Sequence, residues 1–501
     1  MGMIKDFMVA VELGSSRITG VAGQKNADGS LRVLAYASED ASAAIRKGVV
    51  LNIEKTALAI TSIVNKLEAQ LDASIGKVYV GISGQSVHSV CGVVSKQLGE
   101  ETLITKEIVD SLARTNQTSV TGETELLEVI PQEYKVGSSL QADPVGVMAS
   151  HIEARYVNVV ARGSVRSKIE RSFAQADVKI ADLLVSPIAL AKVVLTDAEL
   201  RAGCVLVDFG AATTTVQVWK DHILRHLAVI PLGGDSINRD ICSLQLEDAS
   251  AEQLKVEHGS CYIDEETPSD SQPYVYTSLC GKKVSDRLLS EIIEGRQEEI
   301  IANVWHQVQL SGYADKLLSG MVVTGGGAAM RGLEQLAIKK TGLSKYRFAS
   351  YVVTPVESTT PEMLARNGRL CTVLGLLSAA RENCREIEIS GGLFAGDGES
   401  ASPQSTPQDE KLAEALIAQQ LLEAQKEAEA ARLAQEAADA EKERQIREEN
   451  MRREKELLEQ QRLQEKERRD REKREKFRNS FLGKMSERIA RFGNDILNGE
   501  N

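Results

Sequence analysis

Two carboxylates in this chain stand at the same point of a repeated pattern, about two hundred residues apart. Glu12 closes the run Val9-Ala10-Val11 and opens onto Leu13-Gly14-Ser15-Ser16-Arg17. Asp208 closes Val205-Leu206-Val207 and opens onto Phe209-Gly210-Ala211-Ala212-Thr213-Thr214. Each is an apolar, β-branched run, then an acid, then glycine with small or hydroxylic residues, then a second run of strand character. That order predicts a strand, a tight turn and a returning strand. A turn of small residues presents backbone N–H groups as an anion nest. The neighbouring acid can hold Mg²⁺ through water, because Mg²⁺ keeps several waters and binds through one or two carboxylates plus phosphate oxygens. Two such hairpins facing each other would clamp a nucleotide's phosphates. Taken singly, each reads equally well as an ordinary hairpin that binds nothing.

A third element argues for the clamp. Met321-Val322-Val323-Thr324 runs into Gly325-Gly326-Gly327-Ala328-Ala329-Met330, a strand entering a triple-glycine turn followed by a helical stretch. Glycine there lets backbone approach a ligand closely and leaves a helix N-terminus pointing at it. The competing nucleotide motifs, G-x-G-x-x-G after a strand and G-x-x-x-x-G-K-[ST], are missing.

Positioning these turns requires a sizeable α/β scaffold. At 501 residues the chain exceeds one ordinary core, so two or more domains with extensions are expected. The net charge of −12 argues against a dedicated nucleic-acid binder, which would show a basic face. Seven dispersed cysteines with no C-x-x-C pair fit buried thiols in a reducing cytosol better than disulfides or zinc. The first residues move directly into a strand, so no signal peptide is expected. No run approaches the roughly twenty apolar residues of a membrane span.

From about Met3 to Glu388 strands alternate with amphipathic helices. Leu58, Ile60, Ile63, Val64 and Leu67 predict a helix within 57–71, and 77–82 reads as a strand. Val284, Leu288, Leu289, Ile292, Ile293, Ile300, Ile301, Val304 and Val308 outline a long helix with one apolar face. Residues 391–407 form a Gly, Ser, Asp, Gln and Pro linker. Over 408–476 acid-before-base pairs recur at i,i+4, such as Glu443 with Arg447 and Glu465 with Arg469. Leucines there hold no steady heptad, so a solvated single helix is favoured over a coiled coil. Fully helical, it would reach on the order of 100 Å. Within 477–497, Phe477, Phe481, Leu482, Met485, Ile489, Phe492 and Ile496 fall on one helical face with Arg478, Lys484, Arg488 and Arg491 nearby. A terminal helix of that kind suits an anionic membrane interface, with docking onto the core or a partner as the alternative.

Hairpins, triple-glycine turn, linker and terminal helix together resemble the bacterial cell-division FtsA family of the actin-like ATPase superfamily. Between the hairpins, Val129-Ile130-Pro131-Gln132-Glu133-Tyr134 and Asp143-Pro144-Val145-Gly146 are similar to that family's inserted subdomain, and Val78-Tyr79-Val80-Gly81-Ile82-Ser83-Gly84-Gln85 to the strand entering it. Val229-Ile230-Pro231-Leu232-Gly233-Gly234 and Val353-Thr354-Pro355 also stand in family order.

The resemblance implies an actin-like two-domain α/β ATPase fold. Its first domain would take 1–83 and 164–196, the inserted subdomain 84–163 and the second domain 197–390. By the same resemblance ATP and Mg²⁺ sit in the cleft. Gly14, Ser15, Ser16 and Arg17 from one hairpin, and Asp208, Gly210, Ala211, Ala212, Thr213 and Thr214 from the other, would hold phosphates. Glu12 and Asp208 would serve as catalytic and, through water, metal-organising groups. Gly234, Gly325, Gly326, Gly327 and Met330 would border the adenosine, with Glu252 and Lys255 near the ribose or base, where a solvated surface is the plain alternative.

The chain departs from the family at Ala211 and Ala212, which replace glycines, and at Thr215, where an acid is usual; Glu12 stands for the Asp of actin relatives. Because phosphoryl transfer depends on positioning, hydrolysis is expected to be slow or absent. The implied role is a polymerising adaptor that ties the FtsZ ring to the cytoplasmic face of the inner membrane at the division site. Glu294, Arg296 and Glu299 would meet the FtsZ tail, and the inserted subdomain would meet later divisome proteins. The alternatives are an adaptor for another assembly machinery and a kinase or chaperone ATPase of the same superfold, since fold alone does not fix function.

Overall fold

The computed structural model describes residues 6–119, 123–263 and 275–386. The linker, the charged spacer and the amphipathic tail of the sequence analysis, with all seven of its apolar face residues, lie outside them. The chain opens with β1 (Met8–Leu13), β2 (Arg17–Lys25), β3 (Leu31–Asp40), the short hairpin of β4 (Ile45–Arg46) and β5 (Val49–Val50), α1 (Ile53–Leu71) and β6 (Lys77–Ile82). Then come β7 (His88–Leu103), α2 (Lys106–Ser119), β8 (Thr124–Val136), β9 (Ser139–Gln141), β10 (Met148–Arg162), α3 (Gly163–Gln175), β11 (Lys179–Val185), α4 (Ser186–Val194) and α5 (Asp197–Ala202). The remainder is β12 (Cys204–Phe209), β13 (Thr214–Lys220), β14 (Ile223–Ile230), α6 (Gly234–Cys242), α7 (Asp248–His258), β15 (Val275–Thr277), β16 (Lys283–Ser285), α8 (Asp286–Leu310), β17 (Met321–Thr324), α9 (Leu333–Thr341), β18 (Tyr346–Phe348), β19 (Val356–Glu357) and α10 (Cys371–Ala379).

The repeat seen in the sequence is a repeat of the fold. One sheet runs β11-β6-β1-β2-β3-β19, and the other contains β18-β17-β12-β13-β14 in the same order. In both, three antiparallel strands are followed outward from the first by two parallel ones. Even the register repeats. Glu12 pairs across its hairpin with Thr19, and Asp208 with Thr215, seven residues on in each case. Both first strands are buried apart from the half-buried acid, as expected of strands covered on both faces.

Helix α1 shows how the core chooses its residues. Asn52 caps it by accepting from the Lys55 N–H (2.9 Å), and Ile60, Ile63, Val64, Leu67 and Leu71 are buried. Leu58, expected in the same stripe, is exposed. It lies two residues from Ile60, roughly 200° round the helix, on the solvent side. Helix α8 starts after Ser285, whose hydroxyl accepts from Leu288 N–H, so Val284 belongs to β16 instead.

Strands β7, β10, β8 and β9 extend the second sheet beyond β14, joined to it by the single pair of Ala228 with His88. They cover α2 over a separate core of Ile104, Leu112, Tyr134, Ile152 and Tyr156. Pro131 cannot donate to the ladder, and the register with β10 shifts there. The displaced Gln132 reaches β14, donating to Leu224 O (3.0 Å) and accepting from Arg225 (3.1 Å). The I-P-Q-E-Y run therefore stitches the added strands to the second sheet.

Candidate functional site

The two acidic hairpins and the triple-glycine turn border one cleft of about 760 Å³, within the usual range for small-molecule sites. Around it stand Glu12, Gly14, Ser15, Ser16 and Arg17 from the first hairpin, and Asp208, Gly210, Ala211 and Thr213 from the second. Gly234, Glu252, Lys255, Gly325, Gly326, Gly327 and Met330 also border it. Ala212 and Thr214 are not brought to it. The Thr214 hydroxyl is buried and donates to Leu232 O (2.9 Å), and strand alternation turns Thr215 toward the cleft instead.

The turns are built alike. A Cβ on Gly14 would lie 2.7 Å from Arg17 O, and one on Gly210 2.9 Å from Thr213 O. Both glycines let the turn close on its own carbonyl. The Ser15 hydroxyl accepts from Gly48 N–H (2.8 Å), leaving its own hydrogen to donate. Gly48 and Gly84, both at positive φ, press together so closely that a Cβ on Gly48 would sit 2.6 Å from Gly84 Cα. Sequence reading passed over that contact, although Lys47-Gly48 between two short apolar pairs is a turn signal.

At the second hairpin, Gly234 N–H donates to Gly210 O (3.1 Å) and Asp235 N–H to Ala211 O (2.7 Å). The first turn of α6 therefore spends these N–H groups on the hairpin. Lys255, almost fully buried, donates to Gly234 O (3.2 Å) and to Glu252 (2.6 Å). Burial works against the Glu252 carboxylate, but hydrogen bonds from Lys255 and Asn238 outweigh it and hold its pKa below the ordinary value.

Glu12 and Asp208 are different. Among the described residues neither has an ion-pair partner. Burial, and then the charge of Asp208, push Glu12 up to about 8, opposed by the Val373 N–H. Burial pushes Asp208 up to about 6. Val373 lies in the first turn of α10, so a helix N-terminus is aimed at Glu12. Ser186 and Pro187 bring the N-terminus of α4 to the same cleft. The triple-glycine turn continues as a short 3-10 turn (Gly326–Ala329), not the α-helix expected, and α9 begins only at Leu333. Gly325 has φ +87°, and a Cβ there would lie 2.3 Å from Asp208 Oδ1 and 2.6 Å from Phe209 O. Gly325→Ala is expected to cost on the order of 2 kcal/mol in urea unfolding and to displace the Asp208 carboxylate. A wild-type unfolding midpoint would show that the turn relaxes freely.

Comparison with known proteins agrees with this arrangement. The family model "Cell division protein FtsA" matches residues 205–375, and "SHS2 domain inserted in FTSA" matches residues 84–160. The Cell division protein FtsA of Porphyromonas gingivalis is 30% identical over 331 residues, covering 65% of this chain and 69% of that one. The chain belongs to the FtsA family. Other FtsA proteins are more distant in identity: that of Neisseria meningitidis is 27% identical, covering 78% of this chain and 96% of its own, and that of Escherichia coli 26%, covering 70% and 89%. A solved structure of a PilM-PilN type IV pilus biogenesis complex shares the fold, with a TM-score of 0.52 at 15% identity over 74% of this chain and 97% of that one. The architecture is the actin-like two-domain α/β fold carrying FtsA's inserted subdomain.

The donor set of this FtsA-family cleft fits a magnesium nucleotide. Two half-buried carboxylates without cations line the cleft beside two helix N-termini and two small-residue turns. Among the described residues no group of three or more His, Cys, Asp or Glu could hold a metal unaided. Mg²⁺ held by Glu12 and Asp208 through water would take the rest of its shell from phosphate and water.

The expected FtsZ-tail residues lie on α8, and the structure gives one of them another task. Arg296 forks onto Asp240 (2.5 and 3.0 Å) and also pairs with Glu299. Glu294 is half-buried. Lys283, close by in sequence, is exposed.

Proposed function

We propose that this chain tethers the FtsZ ring to the cytoplasmic face of the inner membrane at the division site, assembling as an actin-like polymer with ATP and Mg²⁺ in the cleft. The observation that carries the reading is the pair of half-buried, cation-free carboxylates at matching positions of the duplicated hairpins. Glu12 and Asp208 would orient magnesium through water, and Gly14, Ser15, Ser16 and Gly210 would surround phosphate oxygens. Magnesium bound with the nucleotide would supply the positive charge these carboxylates lack, and phosphates held between the two hairpins would join the two lobes, which suits an assembly cofactor. The methyl groups of Ala211 and Ala212 and the hydroxyl at Thr215 support slow hydrolysis, since neither offers an acid or base to position water. Brisk turnover abolished by Asp208→Asn would overturn that part.

The amphipathic run from Phe477 to Ile496 supports membrane attachment. The cations that would meet an acidic FtsZ tail are better sought at Lys283 than at Arg296, whose charge is already committed.

Co-sedimentation of FtsZ with anionic liposomes and ATP tests the whole reading. The full chain is expected to bring FtsZ down, and a chain ending at Lys476 to leave at least nine-tenths of it in solution. If the full chain binds liposomes while FtsZ stays in solution, the membrane role survives and the partner is another assembly machinery.

A further inference from the structure

Helix α8 buries Leu289, Ile293, Ile300, Ile301, Val304 and Val308 on one face. Its spacing demands one more core residue between Ile293 and Ile300. That residue is Gln297, only 3% exposed. Its Nε2 is sealed from solvent and has no hydrogen-bond partner. A leucine would pack there without leaving a buried polar atom unpaired. A polar side chain kept in an apolar stripe at such a cost calls for a partner.

The partner's position follows from the packing. Gln297 borders the cleft together with Ile237, Ile300, Val256, Gly259 and Met330. Lys255 touches Gly234 beside the second hairpin. Gly259, about one turn farther along the chain, is so close to α8 that a Cβ there would lie 2.9 Å from Ile293. Gln297 is the next turn of α8 after Ile293. Beyond Gly259, Cys261 N–H donates to Arg331 O (2.9 Å), which brings the end of α7 to the end of the triple-glycine turn. The carboxylates thus occupy one part of the cleft. Ile237, Val256, Ile300 and Met330 border the cleft with Gln297, near Lys255 and Glu252.

We infer that Gln297 is the residue that reads the base edge of the bound nucleotide, favouring a 6-amino over a 6-oxo purine. The inference rests on the nucleotide reading of the cleft. A flat ring suits the apolar walls, and a purine edge sets a donor beside an acceptor, which is the pattern a carboxamide matches. The oxygen accepts from the exocyclic amino group, and Nε2, which has no partner among the described residues, donates to the ring nitrogen N7 beside it. Against a 6-oxo purine the same oxygen meets another acceptor. A site built around such a hydrogen bond discriminates more strongly than apolar packing does.

Calorimetric titration of the full chain with ATP and with ITP, both with Mg²⁺, tests this in the wild type, in Gln297→Met and in Gln297→Leu. Wild type is expected to bind ATP about tenfold or more tightly than ITP, equivalent to 1.4 kcal/mol. Both variants should bring the two within about twofold of each other, chiefly by weakening ATP. The melting temperature of the nucleotide-free variants should be unchanged or higher. An undiminished preference for ATP in both variants, or a wild type that does not favour ATP over ITP, overturns the inference while the nucleotide reading stands. So do variants that melt several degrees lower with the preference intact, which would make Gln297 a core residue only. A wild type that binds neither nucleotide overturns both.

Discussion

Asp208→Asn is expected to make the nucleotide-free protein more stable at pH 8 and to remove its magnesium-dependent affinity for nucleotide. Glu12→Gln should do the same, with the larger stability gain. The two carboxylates are largely desolvated on the cleft wall without a cation, so the fold favours their protonated forms. Burial, then Asp208's charge, lifts Glu12 from an ordinary 4.5 to about 8, and burial lifts Asp208 from 3.8 to about 6. A raised acid pKa means that the folded protein holds protons the unfolded chain has released. Stability therefore falls as pH rises from about 4.5 to 8, and the penalty is complete above that. Removing one charge should recover on the order of 2–3 kcal/mol at pH 8 and almost nothing near pH 3, after allowing for water in the cleft.

Urea unfolding in chelator at the two pH values measures this. In the same assay Mg²⁺ with ATP should stabilise the wild type and leave Asp208→Asn where it was. An Asn variant weaker at every pH, or one that responds to magnesium nucleotide like the wild type, would sink the account. A binding centre that weakens its own fold until it is filled is a common exchange of stability for function.

Arg347→Ala is expected to lower stability by about 2–4 kcal/mol. Arg347 on β18 forks onto Glu199 (2.6 and 2.8 Å) and donates to Val194 O at the end of α4 (3.0 Å). The same carboxylate accepts from the Thr196 N–H (2.8 Å) and hydroxyl (2.9 Å) that cap α5. One ion pair thus joins the α4–α5 connection to the edge of the second sheet, beside a hydrogen bond from Val353 N–H to Val193 O (2.7 Å). Burial opposes the charge on Glu199, but Arg347 and Thr196 outweigh it and lower its pKa. That contribution is present above about pH 4.5 and lost as pH falls further, so the variant and wild type should converge in acid.

The arginine is about one-third exposed, which is why the expected loss stays below that of a fully enclosed pair. Arg347→Lys should recover only part of it, because an ammonium cannot make the fork. Since α4 begins at Ser186 on the cleft, loosening this joint should also weaken nucleotide binding. An unchanged urea midpoint in Arg347→Ala would show the pair to be worth nothing.

Much of the molecule could be read from local pattern. The duplicated acid-glycine hairpins appear in the structure as equivalent pairs, because a β-branched run and a following glycine act over a few residues and need no distant partner. The apolar stripe of α8 was equally plain, while the burial of Gln297 within it is seen only in the fold. The run I-P-Q-E-Y identified an inserted region, while its role in joining sheets depended on Gln132 meeting β14 across 92 residues.

Other assignments needed the third dimension. Thr214 and Thr215 are chemically identical neighbours; only pairing of β12 with β13 decides which faces Asp208. Arg296 looks like a free surface cation until Asp240 arrives from 56 residues away. Gln297 looks like a polar residue on a charged helix until α6 and α7 pack against α8 and it is buried. Sequence by itself marked the duplicated strand–turn–strand units and the apolar stripes of α1 and α8, since these follow from backbone sterics and periodicity. Tertiary structure alone decided which polar groups are paired and which are left buried without partners. Those outcomes depend on desolvation and on contacts between segments that have no mark of each other in the chain.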